Sequence, residues 1–138
     1  TGGILLEAGL IGAKPIGSDI EEKMIKGCKK TLDFYKITNY ELFSTDIGNI
    51  QNYINSVDAI ATDLPYGKST TTKGEDTAEL YDRSFKNISN VLKKESKAVI
   101  GMSDKNFIRI AEKYLKFKKI HKIRAHKSLT RYFVVFEK

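Results

Sequence analysis

Apolar residues along this chain fall into short runs separated by longer stretches of helical spacing. Pro15-Ile16-Gly17-Ser18-Asp19 predicts a short strand ending in an acid, and Glu41-Leu42-Phe43-Ser44-Thr45-Asp46 predicts a second. Val57-Asp58-Ala59-Ile60-Ala61-Thr62 reads as a strand buried in an α/β sheet, with Asp63 at its end. Ala98 to Met102 is a further strand, and Phe117 to Arg124 with Arg131 to Phe136 read as a terminal pair of strands. Helical stretches lie between them. A glycine turn at Gly2 and Gly3 feeds a helix ending near Gly9 or Gly12. A second helix runs roughly from Ile20 to Phe34, with Glu21 and Glu22 in its first turn and Lys29 and Lys30 later, as the helix dipole favours. A short one is expected near Ile50 to Asn55. Tyr81, Phe85, Ile88 and Leu92 recur at the spacing of an amphipathic helix. Ser103 or Asp104 can cap another that buries Phe107, Ile110, Ala111 and Tyr114. Strands alternating with helices predict a doubly wound α/β fold, mostly parallel, closed by an antiparallel strand pair.

Composition narrows the setting. A chain of 138 residues with 41% hydrophobic content is one domain in length and can build a single core. No run approaches the ~20 apolar residues of a membrane helix, and the first residues lack the features of a signal peptide. Cys28 is the only cysteine, and His121 and His126 lack nearby carboxylates or thiols to complete a metal site. A soluble, cytoplasmic protein without a metal is the expectation. The net charge is +7, unevenly placed: Lys113 to Phe136 contains no acid. Lys113, Lys116, Lys118, Lys119, Lys122, Arg124, Lys127 and Arg131 make either the footprint of a polyanion or a solvated basic face.

The most informative chemistry is Asp63-Leu64-Pro65-Tyr66, set where a strand hands over to a loop. In open α/β sheets that carboxyl edge is where ligands bind. Pro65 stiffens the turn and pushes Leu64 to an extended conformation, so the Leu64 carbonyl is a fixed acceptor beside the Asp63 carboxylate. Two acceptors with an aromatic ring alongside suit a planar substrate bearing an amino group. The plain alternative is a strand-end acid, a turn proline and a core tyrosine. Gly67 to Asp76 holds no apolar residue and reads as an exposed loop.

With acids at successive strand ends, Asp19, Asp46 and Asp63, and a glycine turn ahead of them, the chain resembles the class I S-adenosylmethionine-dependent methyltransferases, which have a Rossmann-like fold. Asp63-Leu64-Pro65-Tyr66 is similar to the Asp/Asn-Pro-Pro-Tyr motif of the branch that methylates amino nitrogens. Together with Thr1-Gly2-Gly3-Ile4-Leu5-Leu6-Glu7-Ala8, it resembles the tRNA guanine-N2 methyltransferases, in particular archaeal enzymes acting at tRNA position ten and relatives with a THUMP domain.

The resemblance implies S-adenosylmethionine as cofactor and tRNA as partner. Thr1, Gly2 and Gly3 would lie by the methionine part of the cofactor. Asp19, with Ile20 next to it, would take the ribose hydroxyls; its alternative is a helix cap. Asp46 would meet the adenine amino group and Ile47 the ring; the alternative for Asp46 is an ordinary turn acid. Asp63, counted also among the cofactor residues, and the Leu64 carbonyl would accept the two protons of the guanine amino group, with Tyr66 stacked on a flipped base. Lys118, Lys119, Lys122, Arg124, Lys127 and Arg131 would contact RNA phosphates, joined by Lys68 and Lys73 near the target nucleotide.

Two departures stand out. Leu64 replaces the second motif residue, which keeps the acceptor carbonyl and loosens the turn. The first strand of the family sheet has no counterpart, so residues 1–138 are expected to be a catalytic domain truncated at its amino end, with any THUMP domain upstream. Three other readings stay open. One is another amino nitrogen, such as adenine N6 or guanine N2 of rRNA; the second is a non-catalytic RNA-binding relative; the third is an unrelated nucleotide-binding α/β domain.

Overall fold

The computed structural model describes residues 2–65, 76–126 and 129–138, the side chains of 125, 126 and 129 excepted. These residues divide into two compact units, Thr1–Tyr53 and Ile54–Lys138.

In the first unit, Gly2 precedes helix α1 (Gly3–Leu10) with φ 78°, a left-handed conformation that glycine tolerates without steric cost. A Cβ there would also collide with Cys28 Sγ. Strand β1 (Ile16–Asp19) pairs in parallel with β2 (Glu41–Ser44), joined through helix α2 (Glu22–Phe34). Cys28 and Leu32 of α2 are buried, and burial pushes the Cys28 thiol upward from its ordinary pKa. The expected helix start at Ile20 shifts to Glu22, because the Asp19 side chain accepts from the Glu21 amide and holds a turn there. The short helix expected at Ile50 to Asn55 is instead a 3-10 segment over Ile47–Asn52, started by an Asp46 side chain that accepts from the Gly48 amide.

The second unit contains β3 (Val57–Asp63), α3 (Thr77–Val91), β4 (Leu92–Met102), a 3-10 turn over Lys105–Phe107, α4 (Ile108–Ala111), β5 (Lys116–His126) and β6 (Leu129–Glu137). Its sheet runs β3-β4-β6-β5, with β3 parallel to β4 and the other two pairings antiparallel. Alternation along β4 buries Ala98, Ile100 and Met102, which with Val134 and Phe136 of β6 receive Tyr81, Phe85 and Ile88 of α3. Asp76 caps α3 by accepting from the amides of Ala78 and Glu79. Asp104 caps the next segment, which is shorter than its sequence suggests and buries Ala111 fully but Phe107, Ile110 and Tyr114 only in part.

One expectation is overturned. The run Val57 to Thr62 forms its strand but is not buried: Asp58, Ala59, Ala61 and Asp63 are exposed. Among the described residues β3 pairs only with β4, at one side of the β3-β4-β6-β5 sheet, and apolar content alone does not tell which neighbours a strand has. Likewise β1-β2 and β3-β4-β6-β5 are two separate sheets among the described residues. No described helix is long and apolar enough to cross a membrane.

Candidate active site

The second unit gathers its chemistry around Asp63, at the carboxyl end of β3. Asp63 stands opposite Gly101 of β4, and the chain beyond it is held by the Leu64 amide donating to the Gly101 carbonyl at 3.0 Å. Leu64 is buried at 7% exposure, so its side chain serves the core while its backbone continues the line of the sheet. The Pro65 carbonyl accepts from the Tyr81 hydroxyl at 3.2 Å. Tyr81 is fully buried, stacked within 4.2 Å of the Phe107 ring centroid. Burial pushes its phenol up to about 12, with a backbone hydrogen bond at Ser103 opposing and the Asp104 carboxylate reinforcing the shift. Pro65 is thereby pinned from the core side by a neutral donor.

The Asp63 carboxylate does not hang in solvent. Arg131, on β6, donates from Nη2 to Asp63 Oδ2 across the intervening strand β4. The two side chains are 31% and 33% exposed, which sets this pair apart from the more exposed one that Asp58, also on β3, makes with Lys93 of β4. The Arg131 guanidinium also sits over the Phe133 ring, 5.7 Å from its centroid. Gly101 makes the arrangement possible. A Cβ built there would collide with Asp63 Oδ1 and lie 3.1 Å from Asp63 Cγ and 3.3 Å from Phe133 Cε1.

Asp63, Leu64 and Pro65 stand together at the end of β3, and Gly101 of β4, Arg131 of β6 and Tyr81 of α3 join them there. Arg131, expected among the phosphate-contacting basic residues, binds Asp63 within its own unit. Lys113 and Lys118 of the same block bind Asp82 and Glu137. The exposed remainder, Lys116, Lys119, Lys122 and Arg124, lines β5, the outer strand at the other side of this sheet. Thr1, Tyr66, Lys68, Lys73 and Lys127 lie outside the described residues, as does the polar loop at 67–75.

The first unit carries the other candidates. Asp19 ends β1 half-buried, with Oδ1 accepting from the Glu21 amide at 2.8 Å, and its second oxygen has no hydrogen bond among the described residues. Ile20 beside it is 43% exposed. Asp46 Oδ1 accepts from the Gly48 amide at 2.7 Å, and Ile47 is half-buried. Nothing lies within 4 Å of a Cβ built on Gly3, so the backbone there faces open space. Asp19 thus ends β1 with one oxygen not used by its turn and an exposed apolar residue next to it.

Residues 1–132 match the family UPF0020, described as an RMKL-like methyltransferase domain. A tRNA (guanine(10)-N2)-dimethyltransferase of Pyrococcus abyssi is 40% identical over 99% of this chain, which spans 42% of that relative's length. A probable tRNA (guanine(10)-N2)-dimethyltransferase of Methanothermococcus thermolithotrophicus is 35% identical over 100% of the chain, which covers 83% of it. Among solved structures, a TehB-like SAM-dependent methyltransferase of Corynebacterium glutamicum superposes with a TM-score of 0.74 at 18% identity, covering 99% of this chain and 74% of that one. The expected Rossmann-like methyltransferase fold is thus the one observed.

Proposed function

Because the chain belongs to the RMKL-like methyltransferase domain family, we propose that it carries the catalytic part of an enzyme that methylates the N2 amino nitrogen of a guanosine in tRNA, with S-adenosylmethionine as donor. The observation that carries the reading is the Asp63 carboxylate at the end of β3, tied on its far side by Arg131 and followed by the pinned Leu64-Pro65 backbone. The names of the two relatives from Pyrococcus abyssi and Methanothermococcus thermolithotrophicus support the same substrate.

An exocyclic amino group on guanine is a poor nucleophile, since its lone pair is delocalised into the ring. Hydrogen bonds from its two protons to Asp63 and to the Leu64 carbonyl favour a pyramidal nitrogen with an exposed lone pair. Positioning supplies much of the rate. When bound, the cofactor would supply a sulfonium methyl to the amine, the electron pair of the broken carbon–sulfur bond would stay on sulfur, and the displaced amine proton would pass to Asp63 or water. Asp19 and Ile20 take the ribose, Asp46 and Ile47 the adenine, and Thr1, Gly2 and Gly3 the methionine portion. Tyr66 stacks on the base. Gly2 also has a structural reason to be glycine, in its positive φ and the contact with Cys28.

The exposed Lys116, Lys119, Lys122 and Arg124 on β5 suit RNA phosphates, although lysines on an outer strand also discourage edge-to-edge pairing. A cytoplasmic setting accompanies such a substrate. The greater length of the Pyrococcus abyssi relative is consistent with a longer parent, in which an upstream segment adds the missing family strand and a THUMP domain presents the RNA.

The test is to incubate the protein, in its full natural length, with unmodified tRNA and S-adenosylmethionine, then digest and identify nucleosides by mass spectrometry. N2-methylguanosine that disappears with Asp63→Ala supports the reading. N6-methyladenosine keeps the mechanism and overturns the substrate. No methylated nucleoside despite cofactor binding sinks both.

A further inference from the structure

We propose that Arg131 and Gly101 are positioning residues for the Asp63 carboxylate, so that the acceptor offered to the substrate amine is set by a three-strand shelf rather than by the β3 loop alone. The proposal rests on the amine-methylation reading above and deepens it.

Three observations converge. Asp63 pairs with Gly101 of β4, Gly101 pairs with Phe133 of β6, and Arg131 lies two residues from Phe133 on that strand, where it pairs with Ile123 of β5, so strand pairing rather than a loop brings the three together. Residue 101 lacks a side chain where any Cβ would overlap Asp63 Oδ1, which lets the carboxylate lie flat across β4. At the far side the Arg131 guanidinium binds Oδ2 and is itself held over the Phe133 ring.

A carboxylate has two rotatable bonds to its backbone, and an acceptor free to turn loses directionality. With one oxygen held by a guanidinium N–H and the other lying where a Gly101 side chain would be, the orientation of the group is set. The lone pairs then point along fixed directions before the substrate arrives. That is the preorganisation a weak, neutral nucleophile needs, because misplacement of about 1 Å costs on the order of 100-fold in rate. Arg131 binds the carboxylate itself, so the part assigned to it is to position that group.

Steady-state kinetics of the full natural-length protein on tRNA test this, with folding checked by circular dichroism. Arg131→Ala should lower kcat by about 100-fold, with the KM values for tRNA and S-adenosylmethionine within about threefold of wild type. Arg131→Lys, which keeps charge but not the fork, should retain more activity, about 10-fold below wild type. Millimolar guanidinium should restore part of the Arg131→Ala rate and none of the Asp63→Ala rate. Gly101→Ala, with Arg131 intact, should lose kcat in the same way. Should Arg131→Ala not fold, Arg131→Lys and Gly101→Ala carry the test.

Unchanged kcat with a raised KM for tRNA that responds to salt would make Arg131 a phosphate contact and overturn the proposal. A variant that binds tRNA more tightly or turns over faster would make it a plug on Asp63, and overturn it equally. Wild-type protein that methylates nothing sinks the amine reading and this proposal together. An active wild type with indifferent Arg131 variants sinks this proposal alone.

Discussion

Asp19, at the end of β1, accepts a hydrogen bond from the amide of Glu21, two residues along, whereas Asp63, at the end of β3, is bound by a guanidinium 68 residues away. Asp46, after β2, also accepts from an amide two residues along, that of Gly48. The local acids turn the chain, and a turn needs only one carboxylate oxygen. The distant tie does nothing for the local turn and joins three strands of one sheet through a single side chain. An acid held that way has been built into the unit as an oriented group. The contrast separates a strand-end acid that earns its place by local geometry from one whose surroundings point to chemistry.

The largest effect that could break this comparison is at Asp63. Asp63→Ala should cut methyl transfer by about 1,000-fold or more, on the scale seen when an oriented electrostatic group is removed from a reaction centre. Cofactor affinity measured by calorimetry should stay within a few-fold. Collapse of cofactor binding instead would put Asp63 in the same class as Asp19.

A smaller effect lies at Tyr81, the second long-range tie at this end of β3, which holds the Pro65 carbonyl from the core. Its phenol is pushed up to about 12 by burial, so the unfolded chain, with an ordinary phenol near 10, ionises first. Stability from this group is therefore complete below pH 10 and is lost as pH rises from about 10 to about 12. Denaturant melts should show the wild-type advantage over Tyr81→Phe shrinking across that window by on the order of 1 to 2 kcal/mol. A difference flat with pH would mean that the phenol is not buried in solution.

How much of this was legible beforehand follows the same division. Helix α3, the β5–β6 pair and the strand ending at Asp63 were readable because spacing and local turn chemistry are written within a few residues. Gly101 looked like one residue in an apolar run, and Arg131 like one cation in a basic block. Their meaning depends on the pairing of β3 with β4 and β4 with β6, which no local window contains. The misjudged burial of β3 has the same origin, since a strand's neighbours are not written in its own composition. The one available hint was that Gly101 interrupts a strand, a frequent mark of close approach by another group.

Asp19 offers a finer cut, because its local role and its proposed cofactor role use different properties. Asp19→Asn keeps an oxygen for the Glu21 amide but gives up the charge and one of the two acceptors. Under the ribose reading S-adenosylmethionine affinity should fall about 10-fold, or ~1.4 kcal/mol, with thermal stability nearly unchanged. Unchanged affinity in a folded variant would leave Asp19 as a turn residue and no more.

The smallest effect expected is at Asp46, and it bears on whether a cap and a cofactor contact can share one carboxylate. Its Oδ1 starts the 3-10 segment that buries Ile50. Asp46→Ala should cost about 1 kcal/mol, the usual worth of such a cap, and lower Tm by roughly 4 °C. Asp46→Asn should restore most of that loss, because an amide oxygen accepts from the Gly48 N–H equally well. If the same carboxylate also meets the adenine amino group, cofactor affinity will drop in the alanine variant and recover only in part with asparagine. Stability and affinity that recover together would assign Asp46 to the cap, with Ile47 left to contact the ring. The two melts and two titrations thus separate what the Asp46 carboxylate does for the turn from what it does for a ligand.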